Sequence, residues 1–215
     1  MLIEWHAHSC FRVTLENGIK IVLDPFDNTL GYDQPQIEAN IVLESHQHHD
    51  HNCTETLKGD FKVITSPGEY AFDGFTISGY ETFHDNEKGA LRGKNTVFAL
   101  RAEGMTLCHM GDLGHIPSEE VYEKIGHADI LMIPVGGKFT INAETAFEII
   151  SRMQPNITLP MHYRTMHLDW DIDTVHAFLE LCTGHFDISR NGGNSITASK
   201  DQLKKRSRIT VLEYI

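Results

Sequence analysis

An α/β (α+β) fold with sheets covered by helices follows from three features of this chain. The first half consists of short apolar or alternating runs separated by turn residues. In the second half helical and extended patterns alternate, and no repeat, low-complexity tract or linker divides the 215 residues. One domain spanning residues 1–215 is therefore expected, with 40% hydrophobic and 22% charged residues to supply a core and a solvated surface.

Residues 2–5 and 10–15 read as strands, and Glu16-Asn17-Gly18 supplies the turn into a third at 19–23, which Asp24-Pro25 stops. The next strand spans 37–44, and Thr54-Glu55-Thr56-Leu57 is read as a short helix. Further strands are expected at 61–64, 75–77, 96–101 and 105–109. Ser118 can cap a helix that runs through Ile125, with Glu119 and Glu120 in the first turn where the helix dipole favours anions. A strand at 129–133 precedes a helix at 143–153, in which Ala146, Phe147, Ile150 and Met153 fall on one face. Gln154-Pro155 ends that helix before a strand at 157–159. A last helix at 173–182 aligns Val175, Phe178, Leu179 and Cys182, and residues 208–214 read as a closing strand. These apolar stripes are core-packing faces.

Composition excludes several function classes. The formal charge of -12 disfavours a nucleic-acid partner, because such binding draws on Lys and Arg meeting phosphates. No segment approaches the roughly 20 apolar residues of a membrane span, and the first residues lack a basic stretch followed by an apolar run, so a soluble, unprocessed chain is expected. Cys10, Cys53, Cys108 and Cys182 show no CxxC spacing, which fits a reducing cytoplasm. There is no GxSxG, Walker loop or dinucleotide fingerprint.

The sharpest signal is Ser45-His46-Gln47-His48-His49-Asp50-His51, four imidazoles and a carboxylate directly after the apolar run Ile41-Val42-Leu43. Residues two apart in an extended segment point the same way, so His46 and His48 can present their rings to one ion. Asp50 and His51 follow where the chain must turn and face a different point nearby, whereas His49 is expected to point away. One loop can thus serve two adjacent cations.

This loop carries the HxHxDH signature of the metallo-β-lactamase superfamily, and the chain resembles that family in its later elements too. "WHAHSCF" (5–11), "LDPF" (23–26), "VGGKFT" (135–140) and "PMHYRT" (160–165) are similar to a bacterial and archaeal branch. That branch holds uncharacterised metal-dependent hydrolases and the ascorbate-6-phosphate lactonase. The resemblance implies a four-layer αββα metallo-β-lactamase-like sandwich with a metal centre at one edge. It also implies that His84 completes a first metal site with His46 and His48, that His162 completes a second with Asp50 and His51, and that Asp112 of the Gly111-Asp112 motif is shared. His8, in Ala7-His8-Ser9, corresponds to a histidine that the family carries near its start.

Two divalent ions are the expected cofactor, zinc foremost, with manganese, iron, nickel or cobalt compatible with imidazole and carboxylate ligands. Cations roughly 3.5 to 4 Å apart can share a water and acidify it, so hydroxide forms near neutral pH without a protein nucleophile. The expected reaction is hydrolysis of a small ester-type bond, a phosphodiester or a lactone, with Asp50 as proton acceptor and His8 as a further catalytic candidate. His109 and His115, near Asp112, are candidates to orient ligands or contact substrate, and Asp24 to hydrogen-bond the histidine loop. Arg92 and Asn95, in Arg92-Gly93-Lys94-Asn95, with Tyr163 and Arg164, are candidates for gripping an anionic small-molecule substrate. Lys204-Lys205-Arg206 reads as a solvent face, and Cys53 as structural. Homo-oligomerisation is left open. The rival readings are an iron-dependent oxidoreductase on the same ligand set, a nuclease, and a noncatalytic metal-binding protein.

Overall fold

Strand patterning in this chain produces two sheets. A computed structural model describes residues 1–203 and 207–215, so the expected solvent face at 204–206 lies outside the described residues. The first five strands are β1 (Leu2–Trp5), β2 (Phe11–Thr14), β3 (Lys20–Leu23), β4 (Ile41–Leu43) and β5 (Lys62–Ile64). Then come β6 (Gly68–Phe72), β7 (Phe75–Phe83), β8 (Lys94–Ala102) and β9 (Met105–His109). The second half runs α1 (Glu119–Ile125), β10 (Ile130–Pro134), α2 (Ala143–Met153), β11 (Ile157–Met161), α3 (Val175–Cys182), β12 (Asp187–Arg190), β13 (Ser195–Thr197) and β14 (Arg208–Val211).

One sheet has the order β13-β1-β2-β3-β4-β5 and the other β12-β14-β11-β10-β9-β8-β7-β6. Their inner faces share one hydrophobic cluster, to which the first sheet gives Ile21, Leu23, Ile41 and Leu43 and the second gives Leu107, Met132 and Leu159. Val22 and Val42, one residue out of phase, belong to a second cluster on the outer face of the six-stranded sheet. Burial on both faces is why β3 and β4 read as unbroken apolar runs.

From β9 through β10 to β11 the chain steps across parallel neighbours in one direction, and β11 also pairs in parallel with β14. Right-handed crossovers made in one direction place their helices on one face of the eight-stranded sheet. Helix starts are set by local chemistry: Ser118, Asn142 and Thr174 each accept a hydrogen bond from a first-turn amide, an arrangement worth about 1 kcal/mol per helix. Gln154, in the left-handed conformation, closes α2.

The sandwich expected from the sequence is present, but its two outer layers differ. Over the six-stranded sheet, Val22 and Val42 are covered by Phe26, Leu30, Tyr32, Leu57, Leu168 and Ile172, which lie on loops and one turn of 3-10 helix at Asn28–Leu30. Pro25, Gly31 and Pro35 interrupt that stretch, and no α-helix can form across them. The helix expected at 54–57 is likewise a turn. Three strands escape the sequence reading, namely β6, β12 and β13, all with little buried surface. Among the described residues no helix is long and apolar enough to cross a membrane.

Candidate metal centre

The strand directions bring the chemistry to one edge. β1, β3 and β4 run the same way in the first sheet, as do β7, β9, β10 and β11 in the second. The segments leaving the ends of these strands carry His8 after β1, Asp24 after β3, the histidine loop after β4, His84 after β7, Asp112 after β9 and His162 after β11. His8, Asp24 and His162 all have positive φ, at 52°, 47° and 50°. Such backbone is strained for residues with a Cβ, and strain of this kind is kept where it aims a side chain.

One oxygen organises the centre. Asp112 Oδ2 lies 3.2 Å from His51 Nε2, 3.2 Å from His84 Nε2, 3.3 Å from His162 Nε2 and 4.0 Å from His46 Nε2. His51 Nε2 is also 3.3 Å from Asp50 Oδ2, and His46 Nε2 is 3.0 Å from His48 Nδ1. Three sets of donor atoms are close enough to hold an ion: His46, His48 and His84; His8, Asp50, His51 and His162; and His46, His51 and Asp112, which straddles the other two. The seven expected ligands are thus brought together, and His8 joins them.

The donors fit a cation. His51 Nε2, both ring nitrogens of His162 and Asp112 Oδ1 are buried, and among the described residues none has a hydrogen-bond partner. Leaving such groups unpaired costs about 1–3 kcal/mol each, a penalty that a shared cation removes. Burial and the neighbouring His51 hold His46 down to about 3, and burial also lowers His48, so both keep a lone pair for coordination. Burial pushes the Asp112 carboxyl up, but His162 and His51 outweigh it and bring it well below the usual carboxylate range. His51 moves the other way: burial disfavours its charge, yet Asp112, Asp50 and Asp24 raise it well above an ordinary imidazole. A site that draws a proton onto a buried ring in this way has excess negative charge for a metal to neutralise.

A buried frame orients the ligands. Asp24 accepts from Ser45 N at 2.7 Å, Ser45 Oγ at 2.6 Å and His51 Nδ1 at 2.9 Å, while Ser45 Oγ lies 2.9 Å from His46 Nδ1. With their Nδ1 protons committed, His51 and His46 present Nε2 inward. His8 Nε2 donates to Asp50 Oδ2 at 3.2 Å. Gly111 has φ +55°, and a Cβ there would sit 2.4 Å from Asn95 Oδ1 and 2.5 Å from the Ser45 Cβ, so only glycine lets the Asp112 turn dock.

Five candidate substrate contacts are corrected. Asn95 is fully buried, donating to Thr82 Oγ1 and Met110 O and accepting from Asp112 N, so its amide holds the Asp112 turn and has nothing left for a ligand. His109 spends both ring nitrogens, donating from Nε2 to Ser9 O at 2.9 Å and accepting from Gly111 N at 3.1 Å. Tyr163 is buried, stacks on Trp5 at 5.7 Å and directs its hydroxyl at Leu212 O, because the positive φ of His162 breaks strand alternation. His115 accepts from Phe83 N at 3.1 Å and lines a separate pocket, where it braces the strand end that carries His84. Arg164 is exposed and takes no part in the wall of the cavity above the centre. The His49 side chain is 58% exposed at that cavity's rim, while Arg92 does reach it.

That cavity, about 400 Å³, is walled, besides the ligand set and His49, by Arg92, which the sequence had singled out, and by Phe139 and Trp170, which the sequence reading missed. Phe139 follows Gly136-Gly137, a loop signal after β10, and Trp170 is one of two tryptophans, but neither has a local pattern that marks it for the site.

Comparison with known proteins agrees with this geometry. Residues 2–162 match the family model for the beta-lactamase superfamily domain. A UPF0173 metal-dependent hydrolase from Carboxydothermus hydrogenoformans is 31% identical over 77% of this chain and 85% of its own length. One from Thermoplasma acidophilum is 26% identical over 77% and 84%. A solved structure from Thermotoga maritima, assigned as a Zn-dependent hydrolase of the metallo-β-lactamase superfamily, superposes with a TM-score of 0.81 at 37% identity, covering 99% of this chain and 98% of that one. The chain belongs to the metallo-β-lactamase superfamily and is one of its metal-dependent hydrolases.

Proposed function

We propose that this hydrolase cleaves a small, anionic ester-type substrate, a phosphodiester or a lactone, at a centre of two divalent cations, in a reducing cytoplasm. The observation that carries the reading is Asp112 Oδ2, surrounded by four inward Nε2 atoms from three separate segments. His46, His48 and His84 would hold one ion, Asp50, His51 and His162 the other, with Asp112 between them and His8 beside the second set. Bound cations of this kind acidify water and polarise the bond under attack.

The remaining steps belong to side chains. Asp50 lines the cavity and is tethered by His8, so its carboxylate is placed to take the proton of the attacking water. Asp24 and Ser45 keep the rings from turning away. Arg92, in the cavity wall, attracts the substrate's charge. Among the described residues no serine, threonine or cysteine lines the cavity above the centre, which fits direct attack by water.

Elemental analysis of protein purified without added metal, followed by a screen against bis-nitrophenyl phosphate, cyclic nucleotides and lactones, tests the reading. Two ions per chain at saturation, zinc foremost with manganese, iron, nickel or cobalt as substitutes, and turnover of one bond type are the expected outcome. Bound iron with oxygen consumption and no hydrolysis would replace it with an oxidoreductase.

A further inference from the structure

We infer that the substrate joins an anionic group to a flat apolar body, and that Arg92, Phe139 and Trp170 select it; this rests on the hydrolase reading above. The cavity wall that is not ligand set or His49 consists of one cation and two aromatic rings. The three form a connected unit. The Arg92 guanidinium lies 5.5 Å from the Phe139 ring centre, and Phe139 meets Trp170 at 5.4 Å and 71°. Trp170 in turn stands edge-on to His8 at 5.6 Å and to His162 at 6.3 Å, so the apolar corner begins beside the reacting centre.

The charge of Arg92 is uncommitted. Among the described residues no carboxylate pairs with its guanidinium, whereas Lys138, the other cation over Phe139, is paired with Asp171 at 2.9 Å. Arg92 is also held in place before any ligand arrives. Asp85, buried next to His84, accepts from the backbone N–H groups of Glu87, Gly89, Leu91 and Arg92 at 2.7 to 3.0 Å and so fixes the loop that carries the guanidinium. Preorganisation of this kind keeps ordering costs out of binding.

The polar alternatives lie elsewhere. Thr65, Ser66, Thr96 and Gln47 line a second cavity of about 450 Å³ that shares His48 and Arg92 with the first. The aromatic corner offers no hydroxyl or amide side chain, so the hydroxyls of a sugar laid there would give up hydrogen bonds to water without replacement. The apolar part of the substrate therefore belongs against Phe139 and Trp170, with its anion at Arg92, on the border between the two cavities.

The test is calorimetric binding of phenylphosphonate and methylphosphonate to the metal-loaded protein, since their C–P bonds are not hydrolysed. Phenylphosphonate should bind about ten- to hundredfold more tightly, the range for burying a phenyl group. Phe139→Leu and Trp170→Phe, with metal content verified, should shrink that ratio and leave methylphosphonate nearly unchanged. Arg92→Ala should weaken both probes about tenfold, and Arg92→Lys should recover part of the loss. Equal affinity for the two phosphonates, or an Arg92→Ala protein that binds both normally, would overturn the inference. Loss of the hydrolase reading would show differently, as normal phosphonate selectivity with no ester turned over.

Discussion

The two halves of the centre are built on opposite principles. His46, His48 and His84 form an outer half of imidazoles alone, one of them, His48, exposed on its loop. The inner half, His8, Asp50, His51 and His162, is buried throughout, includes a carboxylate and is backed by Asp24. Burial holds His46 down to about 3, whereas the carboxylates around His51 raise that ring despite its burial. The inner half is thus an anionic pocket that a cation would neutralise, and the outer half is a neutral one with Asp112 at its edge, 3.2 Å from His84 and 4.0 Å from His46. Buried charges are tolerated where they are paired, so the inner ion should be held more firmly and the outer one exchange more readily.

The largest expected effect comes from removing what the halves share. Asp112→Ala should empty both sites or leave a single weak one, and lower hydrolysis by more than about 100-fold, the upper end for losing a mere outer partner. Two tightly bound ions per chain by elemental analysis of this variant would break the comparison at its centre. His48→Ala comes next. It removes an exposed donor of the outer half only, so one ion per chain should survive dialysis against a chelator, and unfolding with that ion bound should stay above the metal-free temperature. Loss of both ions together would show that the halves are not independent.

The asymmetry between the halves bears on what could be read from the chain. Period-2 spacing was enough to pair His46 with His48 and to set Asp50 and His51 apart, because loop residues report their local geometry. His84, Asp112 and His162 are separated by 28 and 50 residues and carry no spacing rule of their own; the superfamily pattern alone placed them with the loop. Helix α1 was legible because Ser118 caps it, and α2 because Ala146, Phe147, Ile150 and Met153 fall on one face. Strands β6 and β12 were not: each lies at an edge of its sheet, and β12 is exposed throughout, so pairing with β14 creates it and no apolar run announces it. The same physics explains Asn95 and His109. Their residue types suit substrate contact, but their partners, Met110 O and Ser9 O, are fixed by the packing of distant segments.

A smaller, sharper effect should follow from Asp24→Asn. Asp24 belongs to none of the donor sets, yet its carboxylate accepts from His51 Nδ1 and from both donors of Ser45. The amide keeps the shape but loses the charge and offers fewer acceptors, so the inner ion should weaken about 10- to 100-fold, as for other partners that orient a ligand. Competition with a coloured chelator measures this directly, and an unchanged inner affinity would mean that His51 is held by packing alone.

The smallest effect belongs to His49, which sits between His48 and Asp50 in the chain. Its side chain is 58% exposed and its Nδ1 stays 3.9 Å from the nearest Asp50 oxygen. It belongs to none of the three donor sets. His49→Ala should therefore leave metal stoichiometry at the wild-type value and shift stability by no more than about 0.5 kcal/mol, the range for exposed positions. The contrast with His48→Ala, one residue away, isolates orientation from composition: if both variants lost the same ion, the loop would hold metal through its general basicity, and the division into an inner and an outer half would fail.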